Sequence, residues 1–360
     1  MLDKNSLDEF LIKQGLPGIV ALVTSPNGVL YESAAGYTDT ENKTEINIDT
    51  PHAIMSMTKP ITSLAIMQLH EQGKISINEK VESYLPEYKL TEVLSKTDLE
   101  SREYTTVPLT RNLTVRHLLN HTAGYGYKFS NETLKQLCKK SETEFPLLHQ
   151  PGEKWVYGAS TKILGDLLSK IEGLSLGDCL KKTVFDPLQM NETSFEPQEN
   201  QAIPHRQADG KWVPGDKLPR IEAGDGGLIS TARDYGKFLR CLLNDGKPLL
   251  SEKTFQQMTT NQIDDLFIET QPAANSTLTY PFPSGGGKDK FGLGFQIHLE
   301  NKEGERNPGS YSWCGLLNTF FWVDPTEKIA CVIFMQTLPL YDPVCIETLK
   351  GFENLLYKNL

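Results

Sequence analysis

The sequence predicts a mixed α/β (α+β) protein in which strands from both chain ends build one sheet and a mostly helical domain is inserted between them. Three observations point there. Apolar, β-rich runs gather at residues 19–35 and again at 292–336. Helix-patterned segments fill most of the stretch between. The chain has 360 residues, more than one hydrophobic core usually supports. The expected division is 1–85 with 286–360 for the sheet domain and 86–285 for the insertion. A cleft is expected at the junction, where small molecules tend to bind.

Each element follows from local pattern. Leu7, Phe10 and Leu11 stand at helical spacing near the start. Residues 19–24 read as a buried strand, Pro26-Asn27-Gly28 as a turn, and 29–35 as the returning strand. A helix beginning near Ser56 runs through 61–72 and stops at Gly73. Residues 115–121 and 161–171 carry helical patterns. Residues 230–244 form a capped helix, with Ser230 or Thr231 at its start and Gly246 beyond its end. The stretch 263–290, with Pro272, Pro281, Pro283 and Gly285-Gly286-Gly287, reads as a surface loop. Strands return at 292–298, 317–323 and 329–336, and 343–357 reads as a closing helix.

Composition removes several functions. A formal net charge of -10 argues against nucleic acid, whose phosphates need clustered Lys and Arg. The longest clean apolar run, 329–335, is too short to span a bilayer, so no membrane partner is expected. The first residues lack the basic start and apolar stretch of a signal peptide, which makes the expected location cytoplasmic. Cys138, Cys179, Cys241, Cys314, Cys331 and Cys345 are scattered and form no CxxC pair. They are expected to be free thiols. His117 and His121 have i, i+4 spacing, but the glutamate of HExxH is absent, so no metal and no cofactor are expected. No G-x-S-x-G elbow occurs, which leaves the α/β-hydrolase fold unsupported. Nothing in the sequence indicates a homo-oligomer.

The chemistry begins at Met55-Ser56-Met57-Thr58-Lys59. On a helix, residues three apart share a face with β-carbons about 5–6 Å apart. The Lys59 amine can therefore approach the Ser56 hydroxyl. A neutral hydroxyl is a poor nucleophile without a neighbouring base. Lysine serves as that base when burial lowers its pKa. Alone, Ser-x-x-Lys arises by chance about once or twice in a chain of this length, most often as a capped helix with a surface lysine. Here Ala53-Ile54-Met55 before it and Ile61, Leu64, Ala65 and Ile66 after it are apolar, so this lysine starts a buried helix.

Five segments in this order and spacing carry a resemblance. They are Met55-Ser56-Met57-Thr58-Lys59-Pro60; Thr114-Val115-Arg116-His117-Leu118-Leu119-Asn120-His121-Thr122-Ala123-Gly124; Pro151-Gly152-Glu153-Lys154-Trp155-Val156-Tyr157; Gly226-Gly227-Leu228-Ile229-Ser230-Thr231-Ala232-Arg233-Asp234; and Trp313-Cys314-Gly315 ahead of Phe321-Trp322-Val323-Asp324-Pro325. Together they resemble the serine β-lactamase and penicillin-binding-protein superfamily, in its class C-like branch, and especially the β-lactamase-like carboxylesterases called family VIII. The resemblance runs from about 17 to 336. It implies a β-lactamase/transpeptidase-like fold, with an antiparallel sheet flanked by helices.

The resemblance also implies roles. Ser56 would be the nucleophile, and Lys59 and Tyr157 would share the base work as a coupled pair, with the proton acceptor left open. The backbone N–H groups of Ser56 and Leu316 would form an oxyanion hole, each worth roughly 3 kcal/mol. Trp313, Cys314, Gly315, Tyr125, Tyr127 and Ala159 would line the substrate site. Two departures point away from lactams. Trp313 stands where lactamases carry the lysine of Lys-Thr-Gly, which removes an anchor for a substrate carboxylate. Ala159 replaces the Asn of Tyr-x-Asn, which removes a partner for a substrate amide. Lys162 occupies a place where esterase relatives often have Asp. The expected activity is hydrolysis of short-chain carboxylic esters through an acyl-Ser56 intermediate, the partner being a small-molecule ester or amide. D-amino-acid peptidase, weak β-lactamase and acyltransferase activities are the alternatives. Retention of Ser56, Lys59 and Tyr157 together argues against a catalytically dead scaffold.

Overall fold

The computed structural model describes residues 2–360. Its centre is an eight-stranded antiparallel sheet. The strands are β1 (Gly18–Ser25), β2 (Gly28–Asp39), β3 (Thr44–Glu45), β4 (Lys290–Phe291), β5 (Gln296–Ile297), β6 (Tyr311–Gly315), β7 (Thr319–Asp324) and β8 (Ile329–Phe334), in the spatial order β4-β5-β6-β7-β8-β1-β2-β3. β1 lies between a strand from each chain end: Ala21 pairs with Ile333 of β8 and with Ser33 of β2. The sheet is thus built from both termini, as expected.

Helices cover both faces, and strand alternation shows which residues face which. The helices that matter most for the sheet and the site are α1 (Lys4–Ile12), α2 (Thr58–Glu71), α3 (Ser160–Glu172), α4 (Ala232–Leu243) and α5 (Pro343–Lys358). Leu22 of β1 lies against Gly236 of α4. Its neighbour Val23 pairs with Tyr31, whose ring meets Phe352 of α5. Successive strand residues point to opposite faces, so α4 and α5 lie on opposite sides of the sheet. α1 packs beside α5. α2 is buried along residues 58–69, including its one lysine, and is flanked by α3. A helix apolar nearly all round belongs inside a core.

The domain division differs from the expected one. α4 falls inside 86–285 yet packs on β1, β7 and β8. Its buried face of Tyr235, Phe238, Leu239 and Leu242 completes the sheet's core, so the chain rejoins the sheet domain long before 286. Thr231 caps α4, its hydroxyl accepting from the Asp234 N–H at 3.1 Å. The inserted region also holds strands: the exposed hairpin Glu92–Asp98 and Glu103–Pro108, and the pair His205–Ala208 and Lys211–Pro214, which joins Thr337–Leu338. All six cysteines are buried free thiols.

β6 was not anticipated, and it matters most. It lies against the turn that carries Ser56. Gly315 makes that approach possible, because a Cβ there would overlap the Ile54 carbonyl oxygen and the Thr319 hydroxyl. Gly315→Ala is expected to push the strand off this turn. The cost of such overpacking is about 1–3 kcal/mol. Thermal melts of the variant beside the wild type check it, and an unchanged melting temperature would count against this packing.

Candidate active site

Ser56 sits in a single 3₁₀ turn, Met55–Met57, that feeds directly into α2. The chain arrives along His52–Ala53, which pairs with Ile229–Ser230, and must reverse abruptly. Met55 makes the reversal with φ +48, a left-handed conformation that costs a non-glycine residue about 1–3 kcal/mol. The result is a serine at a helix start, partly exposed, between a strand end and the core.

One helical turn on, Lys59 is 2% exposed. Its ammonium nitrogen lies 2.9 Å from the Ser56 hydroxyl oxygen and donates to the Asp225 carbonyl at 2.7 Å. The rings of Tyr157 and Tyr127 flank the same nitrogen, with centroids at 4.9 and 5.3 Å. Burial pulls the Lys59 pKa down to about 8, against the opposing pull of Asp225 and Cys314. The loop that supplies the Asp225 carbonyl is held by the Thr62 hydroxyl, which donates to the Gly224 carbonyl at 2.8 Å. Gly224 crosses α3 so closely that a Cβ would overlap the Thr161 carbonyl.

Tyr157 is buried beside this pair, within an aromatic enclosure. Trp313 approaches it at 5.0 Å between centroids, His121 at 5.1 Å, Tyr127 at 5.3 Å and Phe282 at 5.6 Å. Burial raises its phenol well above the usual range, while the Ser56 hydroxyl and the Trp313 indole oppose that rise. The phenol therefore holds its proton at neutral pH. The N–H groups of Ser56 and Leu316 find no acceptor among the described residues. A hydroxyl, an amine of lowered basicity, a protonated phenol and two free N–H donors thus converge beside one strand end, the parts that acyl transfer needs.

The other expected residues divide. Trp313 is directly opposite Phe321, whose ring meets Tyr235 of α4, so it faces the α2 side and walls the site. Cys314 pairs with Phe320 and points to the other face, where Phe320 meets Tyr341; burial pushes its thiol up to about 12. A cavity of about 380 Å³ lies on that far face, touching Trp313 and Cys314 but not Ser56. Tyr127 flanks Lys59 and donates to the Asp225 carboxylate. Tyr125 is buried in the core, its phenol raised by burial and the neighbouring Tyr88, and shares no ring contact with Tyr157. Ala159 is the residue just before α3, buried two positions from Tyr157. Lys162 bonds Tyr88 and Asp166 on the outer side of α3.

Several site residues escaped the sequence reading. Asp225 acts through its backbone carbonyl and has no side-chain signature. Phe282 comes from the stretch read as a surface loop, yet it is 1% exposed. His121 lies beyond the short helix Val115–Leu119, with φ +56, so it does not share a helix face with His117. Burial and the Lys59 charge push it down to about 3, which leaves it neutral. His117 instead holds the capping box with Thr114.

A family model described as Beta-lactamase matches residues 4–350. The chain belongs to the Beta-lactamase family. Among curated relatives, the monacolin J acid methylbutanoyltransferase of Aspergillus terreus is 27% identical over 380 residues, covering 95% of this chain and 92% of that protein. The lovastatin esterase of Penicillium rubens is 26% identical over 381 residues, covering 95% and 94%. Among solved structures, simvastatin synthase of Aspergillus terreus superposes with a TM-score of 0.86 at 25% identity, covering 99% of this chain and 98% of that one. The Beta-lactamase fold therefore extends over essentially the whole molecule.

Lys59 can take a proton from Ser56 only as the free amine. With its pKa near 8, acylation of Ser56 that uses Lys59 as its base is expected to speed up about tenfold per pH unit below that point and to level off above it. A stopped-flow pH profile of acylation measures this. A flat profile from pH 6 to 9 would remove Lys59 as the base.

Proposed function

We propose that this chain takes the acyl group of neutral carboxylic esters onto Ser56 and passes it to water or to a small alcohol. The observation that carries this is the buried Lys59 amine within hydrogen-bond reach of the Ser56 hydroxyl. The free amine takes the Ser56 proton as the oxygen attacks the ester carbonyl. The N–H groups of Ser56 and Leu316 receive the oxyanion. When the tetrahedral intermediate collapses, the bond to the leaving oxygen breaks and Tyr157 gives that oxygen its proton. Lys59, now an ammonium, restores the proton to Tyr157. Deacylation runs the same steps in reverse, with water or an alcohol as the entering group.

The roles of base and acid follow from environment. Burial makes an amine easier to deprotonate and a phenol harder, so Lys59 is the base and Tyr157 the donor. The substrate class follows from Trp313. An indole in place of a cation favours uncharged acyl groups over a carboxylate-bearing lactam. The aromatic rings around Tyr157 give an alcohol's carbon skeleton a surface to pack on, which favours it over water as the entering group. Relatives named as a methylbutanoyltransferase and as an esterase support an ester substrate.

Ser56→Ala is expected to lower turnover of a p-nitrophenyl ester panel by about 10⁴-fold or more. Mass spectrometry of quenched wild type is expected to show the acyl mass on the peptide holding Ser56. Added short alcohols are expected to divert acyl groups from acid to new ester. Equal rates for variant and wild type would reject the proposal, and so would nitrocefin turnover exceeding that of every ester.

A further inference from the structure

Trp313 does more than fill the wall. Its indole Nε1 is fully buried and has no hydrogen-bond partner among the described residues. Leaving a buried donor unmade costs about 1–3 kcal/mol, so an N–H like this calls for a state that uses it. The ring is pinned in place. Phe291 meets it edge-on at 5.5 Å and 89°, and His121 lies parallel to it at 6.5 Å and 18°.

Two neighbours could accept from it. His121 Nδ1 is likewise buried and unpartnered. Both nitrogens are without a partner, so they do not bond each other, and the two ring centroids are 6.5 Å apart. The Tyr157 ring is 5.0 Å away and inclined at 55°, which allows its oxygen to lie in the indole plane. Tyr157 is also the group whose charge changes in the reaction proposed above, on which this inference rests.

We propose that the Trp313 indole N–H is a positioning donor to the Tyr157 oxygen, and that it stabilises the phenolate formed while the Tyr157 proton is on the leaving alcohol. In that step the carbon–oxygen bond breaks with its electron pair on the leaving oxygen. The proton moves from Tyr157 to that oxygen. Negative charge remains on Tyr157 until the Lys59 ammonium returns a proton. A neutral phenol gains little from a further donor, whereas a phenolate gains a charge-assisted bond. The donor therefore lowers the barrier rather than tightening the ground state. The opposition of Ser56 and Trp313 to the burial-driven rise at Tyr157 agrees with this. The other titratable groups facing Tyr157 are Lys59 from α2, Tyr127 and His121 from the segment before α3, and Asp225 from the glycine loop; the Cys314 thiol acts on it only through space, from the far face of β6.

The leaving group supplies the test. A p-nitrophenolate departs as its anion and needs no proton, whereas an alkoxide needs one. Trp313→Phe keeps an aromatic ring and removes the N–H. With aryl and alkyl esters of one acyl group, kcat/KM for the alkyl ester is expected to fall about 100-fold further than that for the aryl ester. Trp313→His, which keeps a ring N–H, is expected to recover part of that difference. Should the Phe variant melt too low to assay, Trp313→Met must show the same selective loss. Parallel losses on both esters would reduce Trp313 to a wall and overturn the proposal. A wild type inactive on both esters would remove the ester reading itself, an outcome distinct from the parallel loss.

Discussion

The site depends on a buried amine that nothing neutralises. Lys59 has given up water for two tyrosine faces, one backbone carbonyl and the Ser56 hydroxyl. None of these is a carboxylate in contact with it. An ion pair would have kept it charged and useless as a base. Neutral acceptors leave its proton loosely held, so burial outweighs the opposing pull of Asp225 and Cys314 in setting its basicity. Everything around it serves that end: α2 is sunk in the core, the glycine loop brings a carbonyl rather than a side chain, and aromatic rings exclude solvent.

The fold delivers these parts from distant stretches of sequence. The 3₁₀ turn and α2 bring Ser56 and Lys59, the segment before α3 brings Tyr157, the loop before α4 brings Asp225, and β6 with the residue after it brings Trp313 and the Leu316 N–H. The sheet is the common frame, because β6 hangs on β7 and β8 while α4 and α2 cover the face that Trp313 points to. Strand alternation then sorts Trp313 into the site and Cys314 out of it.

Much of this was legible in the residues. The helix carrying Ser56 and Lys59 followed from three-residue spacing and apolar flanks, and the capped α4 from Thr231. Tyr157 was reachable only through the resemblance, since a lone tyrosine has no local pattern. β6 was missed because Tyr-Ser-Trp-Cys-Gly is only five residues long and alternates over just its first three, with no bounded apolar run. The hairpin 92–108 is polar on both sides and lacks the usual strand signal. Phe282 lay hidden among prolines and glycines that mark a loop, and a loop's burial is decided by what packs over it. Asp225 contributes a main-chain oxygen, which every residue has.

Four successive residues at the end of β6, 313–316, carry the Trp313 wall, Gly315's contact with the Ser56 turn and the Leu316 N–H. If these residues play the roles proposed above, rate and selectivity are mechanically linked. In the reaction proposed above, widening the chamber for bulkier acyl groups by shifting β6 would also drag the Leu316 amide away from the oxyanion. Room is better sought at Phe282, which comes from outside the sheet, where a smaller side chain leaves β6 in place.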